Sequence, residues 1–162
     1  MQDRQLLAKA SGYALLLLRY RQRSESELRQ RLKRKGFEES VIEQTLLFLK
    51  EHHFVDDCQF ARFWIQARLN KPLGINRIIL ELRQKGVNQD IIKQELSEIK
   101  LGYDEKKAIK TLASKRLRLL KKTTDPKKAK ARVFSFLVRR GFSPEVVAEV
   151  INSQNYEGGL SA

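Results

Sequence analysis

A single cysteine, Cys58, stands among the 162 residues, so no disulfide within the chain can hold the fold. A lone thiol suits a reducing compartment, and a cytoplasmic location is expected. There are only three prolines and eight glycines, which leaves few positions reserved for turns. Long apolar runs are missing as well. The longest, Tyr13 to Leu18, falls far short of the roughly 20 residues that cross a bilayer. The first ten residues alternate polar and apolar, without the continuous apolar stretch of a secretory signal, so a soluble protein that is not inserted in a membrane is expected. Acid is scarce: 19 Asp and Glu face 33 Lys and Arg, giving a formal net charge of +14.

Hydrophobic residues make up 41% of the chain, enough to bury a core, and Leu and long charged side chains dominate. Those residues lose little rotamer freedom in a helix. No series of β-branched strands is visible, and the class that follows is all-α. The excess positive charge points to a polyanionic or acidic partner: nucleic acid first, then an anionic membrane, then an acidic protein groove.

Three segments share one pattern. Leu28, Leu32, Lys35, Gly36 and Phe37 are followed by Val41 and Ile42; Ile78, Leu82, Lys85, Gly86 and Val87 by Ile91 and Ile92; Val133, Leu137, Arg140, Gly141 and Phe142 by Val146 and Val147. The glycines lie 50 and 55 residues apart, and every other anchor moves with them. Apolar residues four apart, then a basic residue and Gly, describe a helix that ends on a left-handed glycine, with the cation near its exposed carbonyls. The residue after each glycine is then N′ of a new helix whose N-cap is Glu38, Asn88 or Ser143. N4 of that helix is Ile42, Ile92 or Val147, the spacing of a hydrophobic staple. Pro144 after Ser143 fits N1 of such a helix.

A third helix precedes each corner. In the first copy it is expected from about Ala8 to Arg21, with a Ser24…Glu27 capping box opening the next helix. In the second, Asp56 caps a helix carrying Phe60, Ala61, Trp64, Ile65 and Arg68, the counterparts of Ala14, Leu17, Leu18 and Arg21. In the third the helix runs from about Asp104 to Leu120, with Ala108 and Leu112 as equivalents. Loops at Asn70–Gly74 and Lys121–Pro126 join the copies. The expected organisation is three tandem three-helix repeats, residues 1–50, 51–102 and 103–155, with a flexible tail at 156–162. A three-helix unit cannot bury its apolar face alone, so the repeats should stack into an elongated, curved, solenoid-like body.

Charge is uneven along the chain. Residues 1–50 carry 11 basic and 6 acidic side chains, residues 51–102 carry 8 and 7, and residues 103–162 carry 14 and 6. One cluster, Arg29, Arg31, Lys33, Arg34 and Lys35, crowds a short helix around Leu28 and Leu32. A second runs through Lys115, Arg116, Arg118, Lys121, Lys122, Lys127, Lys128, Lys130 and Arg132. A charge run is usually a solvated face. Here few acids compensate it, and contact with phosphates is the favoured reading. Arg21, Arg23, Arg68 and Arg77 complete the candidate set for binding nucleic acid or a protein filament. The aromatics Phe37, Phe60, Trp64, Phe134, Phe136 and Phe142 sit at core or staple spacing, with Phe134 and Tyr103 as candidate exceptions that could stack on bases.

His52, His53, Asp56, Asp57 and Cys58 are the one cluster with metal-ligand chemistry, but no paired Cys or His spacing of a zinc site is present. Asp56 reads instead as an N-cap, Asp57 as a carboxylate at the same helix start, and Cys58 as a small buried residue. No phosphate-cradling glycine loop, nucleophile elbow or His–carboxylate arrangement appears. The expectation is a binding protein without cofactor or metal, not an enzyme.

Ala14 through Arg29, the Lys35-Gly36-Phe37 corner, Val55-Asp56-Asp57 leading into Phe60-Ala61, and Gly74 through Arg77-Ile78 to Glu81-Leu82 with Lys85-Gly86-Val87 together resemble the RecX family. The likeness is densest from Ala14 to Leu96. The third copy matches in pattern only, and nothing in the tail from Ser153 contributes. The resemblance implies a three-repeat helical modulator of the RecA recombinase, lodged as a monomer in the groove of the RecA–single-stranded-DNA filament. There it would restrain filament growth, strand exchange, ATP hydrolysis and coprotease activity, touching the DNA directly or through RecA. Two other readings stand beside it. The glycine corners and basic helices also suit a duplex-DNA-binding helix–turn–helix protein, and the charge suits an RNA-binding or ribosome-associated one.

Overall fold

The computed structural model describes residues 2–99, 103–120 and 125–153. Among these are nine helices and no strand: α1 Gln2–Tyr20, α2 Glu25–Arg34, α3 Glu39–Glu51, α4 Asp57–Leu69, α5 Ile75–Gln84, α6 Gln89–Ile99, α7 Glu105–Leu120, α8 Pro126–Arg139 and α9 Pro144–Ser153. The tail expected at 156–162 lies outside the described residues. The helix expected from about Ala8 begins at Gln2 instead.

The three glycine corners form as the spacing predicts. Gly36, Gly86 and Gly141 have φ of 92°, 74° and 88°, a region open to glycine and costly for residues with a Cβ. At the first corner the Phe37 amide donates to the Leu32 carbonyl (3.3 Å) and the Gly36 amide to that of Lys33 (3.0 Å). Val87 to Leu82 with Gly86 to Arg83, and Phe142 to Leu137 with Gly141 to Val138, repeat this pair of bonds. This is the Schellman arrangement, which satisfies carbonyls that a helix end leaves without partners. Glu38, Asn88 and Ser143 each accept the first backbone bond of the following helix, from Ile42, Ile92 and Val147.

A fourth corner of the same kind ends α3, without glycine. His53 takes φ of 56°, its amide donates to Lys50 (2.9 Å) and the Phe54 amide to Leu49 (2.8 Å).

The chain divides into two compact units, Met1–Ile65 with Glu81–Ile99 and Gln66–Leu80 with Lys100–Ala162, so the division falls within α4 and α5. In the first unit Ala10 and Ala14 of α1, Leu28 and Leu32 of α2, and Val41, Ile42, Leu46 and Leu49 of α3 form one buried cluster. In the second, Ile109, Ala113 and Leu117 of α7 close over Ala129, Val133 and Leu137 of α8 and Phe142, Val147, Val150 and Ile151 around α9. The α7 core positions are thus Ile109 and Ala113. The expected Ala108 and Leu112 lie one residue away and only partly buried, because the helix is rotated relative to the assumed register.

Within each unit a corner closes the start of a helix from the preceding copy. In the first unit Ser24 caps α2 by accepting the Glu27 amide (3.1 Å), and its hydroxyl donates to the Lys85 carbonyl (2.5 Å). A Cβ on Gly86 would overlap the Ser26 side chain. In the second unit the Gly74 amide, which occupies the position of Ser24 one repeat later, donates to the Arg140 carbonyl (2.9 Å), and the Asn76 amide to that of Gly141 (3.1 Å). A Cβ on Gly74 would overlap the backbone of Gly141 and Phe142, and one on Gly141 the backbone of Arg77. A Cβ on Gly36, by contrast, would meet nothing within 4 Å.

The carboxylate of Glu27 does not complete a reciprocal capping box by itself. Burial would raise its pKa, but hydrogen bonds from Arg21 (3.0 Å) and Lys85 (2.9 Å) hold it down at about 2. Asp56 caps α4 as expected, accepting the amides of Cys58 (2.8 Å) and Gln59 (3.1 Å). Asp57 does something else: it accepts the Glu25 amide at the start of α2 (2.9 Å), and burial pushes its pKa up. Cys58 is partly exposed, not buried, because it sits in the first turn of α4.

Candidate functional site

Charge sorts by helix position within the repeat. The last helix of each copy is acidic. α3 carries Glu39, Glu43 and Glu51 against Lys50, α6 carries Asp90, Glu95 and Glu98 against Lys93, and α9 carries Glu145 and Glu149 with no base, a net of −2 each. The first two helices of the third copy are strongly basic. α7 has six bases against Glu105 and α8 has five and no acid, a net of +5 each. α2 has four bases against Glu25 and Glu27, a net of +2.

The acids of each last helix hold a base of their own copy. Arg29 donates to Glu39 (2.6 Å) and Glu43 (2.5 Å) of α3. Arg62 donates to Glu95 (2.8 Å), a carboxylate only 1% exposed, and reaches Glu98 (3.4 Å). Lys106 of α7 donates to Glu149 of α9 (2.5 Å). A buried carboxylate such as Glu95 would be strongly destabilising without that guanidinium.

This pairing splits the sequence-predicted residues into two groups. Arg29 is committed to carboxylates and Arg21 to Glu27, each in an ion pair at the surface of the first unit. Arg23 is half-buried, its Nε near the Leu17 carbonyl (3.5 Å), and its pKa is lowered by burial and by the neighbouring charges of Arg21 and Arg31. Arg31, Lys33 and Arg34 are exposed and make no ion pair among the described residues. The same holds of Lys115, Arg116 and Arg118 on α7 and of Lys127 and Lys128 on α8. Lys130, Arg132 and Arg77 are exposed and Arg68 is half-buried, and all four have interactions within the protein. Lys121 and Lys122 lie outside the described residues. The exposed, uncompensated charge is therefore concentrated on α2 in the first unit and on α7 and α8 in the second.

The aromatic residues depart from a uniform core assignment. Phe60 and Phe142 are buried, whereas Phe37, Trp64, Phe134 and Phe136 are half-buried. Phe134 packs against the core of the second unit. The Tyr103 hydroxyl donates to the Leu73 carbonyl (3.1 Å), and burial, aided by Glu105 and Asp104, raises its pKa to about 12. Neither is therefore a free stacking platform. Phe136 carries the guanidinium carbons of Arg116 at 5.2 Å and Arg140 at 4.7 Å from its ring centroid. By spacing alone Phe136 belongs to the core and Arg140 is a helix-end cation, because no linear pattern joins Arg116 to a ring on the next helix.

No group of His, Cys, Asp and Glu able to hold a metal occurs among the described residues, and no described helix is long and apolar enough to cross a membrane. An open cavity of about 590 Å³ in the first unit is lined by Glu25, Arg29, Lys50, His53, Asp57 and Cys58 among others. Its bases are already claimed by carboxylates, Lys50 by Glu25 (2.6 Å) and Arg29 by Glu39 and Glu43, so it offers no free positive charge to a polyanion.

Comparison with known proteins covers most of the chain. Residues 10–49 match the family model described as RecX, first three-helix domain; residues 56–96 match the second three-helix domain and residues 104–151 the third. A regulatory protein RecX of Clostridium botulinum is 32% identical over 157 residues, 96% of this chain and 73% of the relative. One from Prosthecochloris aestuarii is 35% identical over 150 residues, 92% of this chain and 93% of the relative. A crystal structure of a regulatory protein RecX superposes with a TM-score of 0.81 at 26% identity, over 94% of this chain and 74% of the other. The structure of RecX from Lactobacillus salivarius gives the same TM-score at 20% identity, over 94% and 98%, a likeness of fold.

Proposed function

The chain belongs to the RecX family of regulatory proteins, and from that premise we propose that it binds the RecA–single-stranded-DNA filament and modulates the recombinase. The family match over all three helical domains is the observation that carries this reading. It acts by occupancy rather than catalysis, as a monomer in the cytoplasm. It inhibits RecA's strand exchange, ATP hydrolysis and coprotease activity, and so tempers DNA repair and the SOS response. The exposed bases of α2, α7 and α8 support contact with a polyanion, since charge left unpaired within the fold repels itself until a counter-charge arrives. Such contacts are phosphate contacts: sequence-independent and salt-sensitive.

The alternative, a helix–turn–helix reader of duplex DNA, places the helix after each corner in the major groove. In this chain those helices are α3, α6 and α9, each with a net charge of −2, which phosphates flanking a groove would repel. The filament reading is therefore preferred. The test is DNA-dependent ATP hydrolysis by RecA, titrated with this protein at a salt concentration where RecA alone stays assembled. Hydrolysis and filament length should both fall. If neither changes, the proposal is wrong, and sequence-selective footprints on duplex DNA would favour the alternative.

A further inference from the structure

We propose that Arg116 and Arg140, held against the ring of Phe136 in the second unit, form a built site for the phosphate backbone of a nucleic-acid strand. The inference deepens the reading that the basic faces of α7 and α8 meet nucleic acid, and rests on it.

Both guanidinium carbons lie within the ~6 Å reach of a cation–π contact, at 5.2 and 4.7 Å from the same centroid. The two charges are therefore no more than about 10 Å apart, a span one polyanion can bridge. Neither has a carboxylate partner among the described residues, although carboxylates elsewhere in the fold claim Arg21, Arg29 and Arg62. Like charges held together with no acid between them are waiting for an anion.

The site is also held in place. Arg140 follows α8, and its amide bonds back to the Phe136 carbonyl (3.2 Å). One guanidinium N–H donates to the Pro72 carbonyl (2.9 Å), which fixes the side chain and leaves most of its five donors available. Arg116 stands exposed on α7. Because the ring positions both forks, little rotamer entropy remains to be lost when an oxyanion binds, and guanidinium matches phosphate geometry with paired bonds. Lys115, exposed beside Arg116 on the same helix, adds positive charge next to the pair.

The test is fluorescence anisotropy of a labelled oligothymidylate with the full chain, without RecA, over a series of salt concentrations. Arg116→Gln should weaken binding by about 10-fold or more, since it removes a charge-assisted pair. Lys115→Gln, with the same charge change, should weaken it by only ~2-fold, the share of a solvated charge. Phe136→Leu removes no charge, yet should weaken binding by ~2–5-fold at unchanged salt slope by releasing both guanidiniums. Equal effects of Arg116→Gln and Lys115→Gln, with Phe136→Leu binding as the parent does, would overturn the site while leaving RecA regulation standing. A parent chain that does not bind the oligonucleotide overturns it too. So does a loss confined to anionic phosphatidylglycerol vesicles, which would assign the pair to a membrane.

Discussion

The three corner glycines carry different loads, and replacing each with alanine should separate them. At Gly36 the added Cβ meets nothing within 4 Å, so Gly36→Ala pays only for the φ of 92°. That is ~1–2 kcal/mol for an L-residue, less ~0.4–1 kcal/mol for the stiffer unfolded chain, a net of about 1 kcal/mol. At Gly86 the φ of 74° has a similar effect, and the Cβ also overlaps Ser26 of the preceding copy. Overpacking adds ~1–3 kcal/mol, for a total of about 2–4 kcal/mol. At Gly141 the obstacle is the Arg77 backbone, which cannot rotate away. The joint must open, and the bonds Gly74 to Arg140 and Asn76 to Gly141 weaken with it, at ~1 kcal/mol each, for about 3–5 kcal/mol in all. Urea unfolding followed by circular dichroism at 222 nm gives the order, provided the slope is the same for all variants. Ser26→Gly in the Gly86→Ala background should recover the overpacking but not the φ component, a coupling that a double-mutant cycle isolates. If Gly36→Ala destabilises as much as Gly86→Ala, the corners do not bear on their neighbours and the reasoning fails.

Three further outcomes are expected. Glu27 has a folded pKa of about 2 against an ordinary 4.5, so it stabilises the fold above the ordinary value, and that stability is lost as pH falls from about 4.5 through 2. Glu27→Gln should flatten the stability curve across that window by ~1–2 kcal/mol after allowance for solvent screening; an unaltered acid limb in urea midpoints would contradict it. His53→Gly should raise stability by about 1 kcal/mol by relieving a left-handed residue at φ 56°, and a lowered melting temperature would show that the imidazole contributes more than its strain. Reversing Lys127, Lys128 and Lys130 to Glu should weaken nucleic-acid binding and reduce its salt slope by ~0.7 for each phosphate no longer engaged, with helicity intact; unchanged affinity would make that cluster a solvated face.

What could be read from the sequence was local. A left-handed residue between two helices calls for glycine, so Gly36, Gly86 and Gly141 announce themselves by type and spacing. His53 adopts the same conformation without the residue type that signals it, and stays hidden. Ser24 and Asp56 were visible as caps because a cap is judged against residues two or three positions away. The second roles of this region were not. Ser24 also meets the Lys85 carbonyl 61 residues on, and Asp57 serves α2 rather than its own helix. The basic clusters were visible as runs, but their division was not, since Arg29 is withdrawn by acids 10 and 14 residues later and Arg116 is aligned by a ring on another helix. Position within a run says nothing about which charges a neighbouring helix will claim.

The joint between the second and third copies is written largely in a missing atom. Because Gly74, Asn76, Arg140 and Gly141 meet there through amides and carbonyls, the closest approach of the two copies is made by main chain, with the Arg140 and Tyr103 side chains adding bonds to the Pro72 and Leu73 carbonyls beside it. Arg140 takes part in both ways. Its carbonyl belongs to the architecture, while its guanidinium lies over Phe136. One residue thus serves as mortar with its main chain and as an instrument with its side chain: Arg140→Gln would silence the instrument and keep the main-chain bonds of the masonry, at the loss of the one to Pro72.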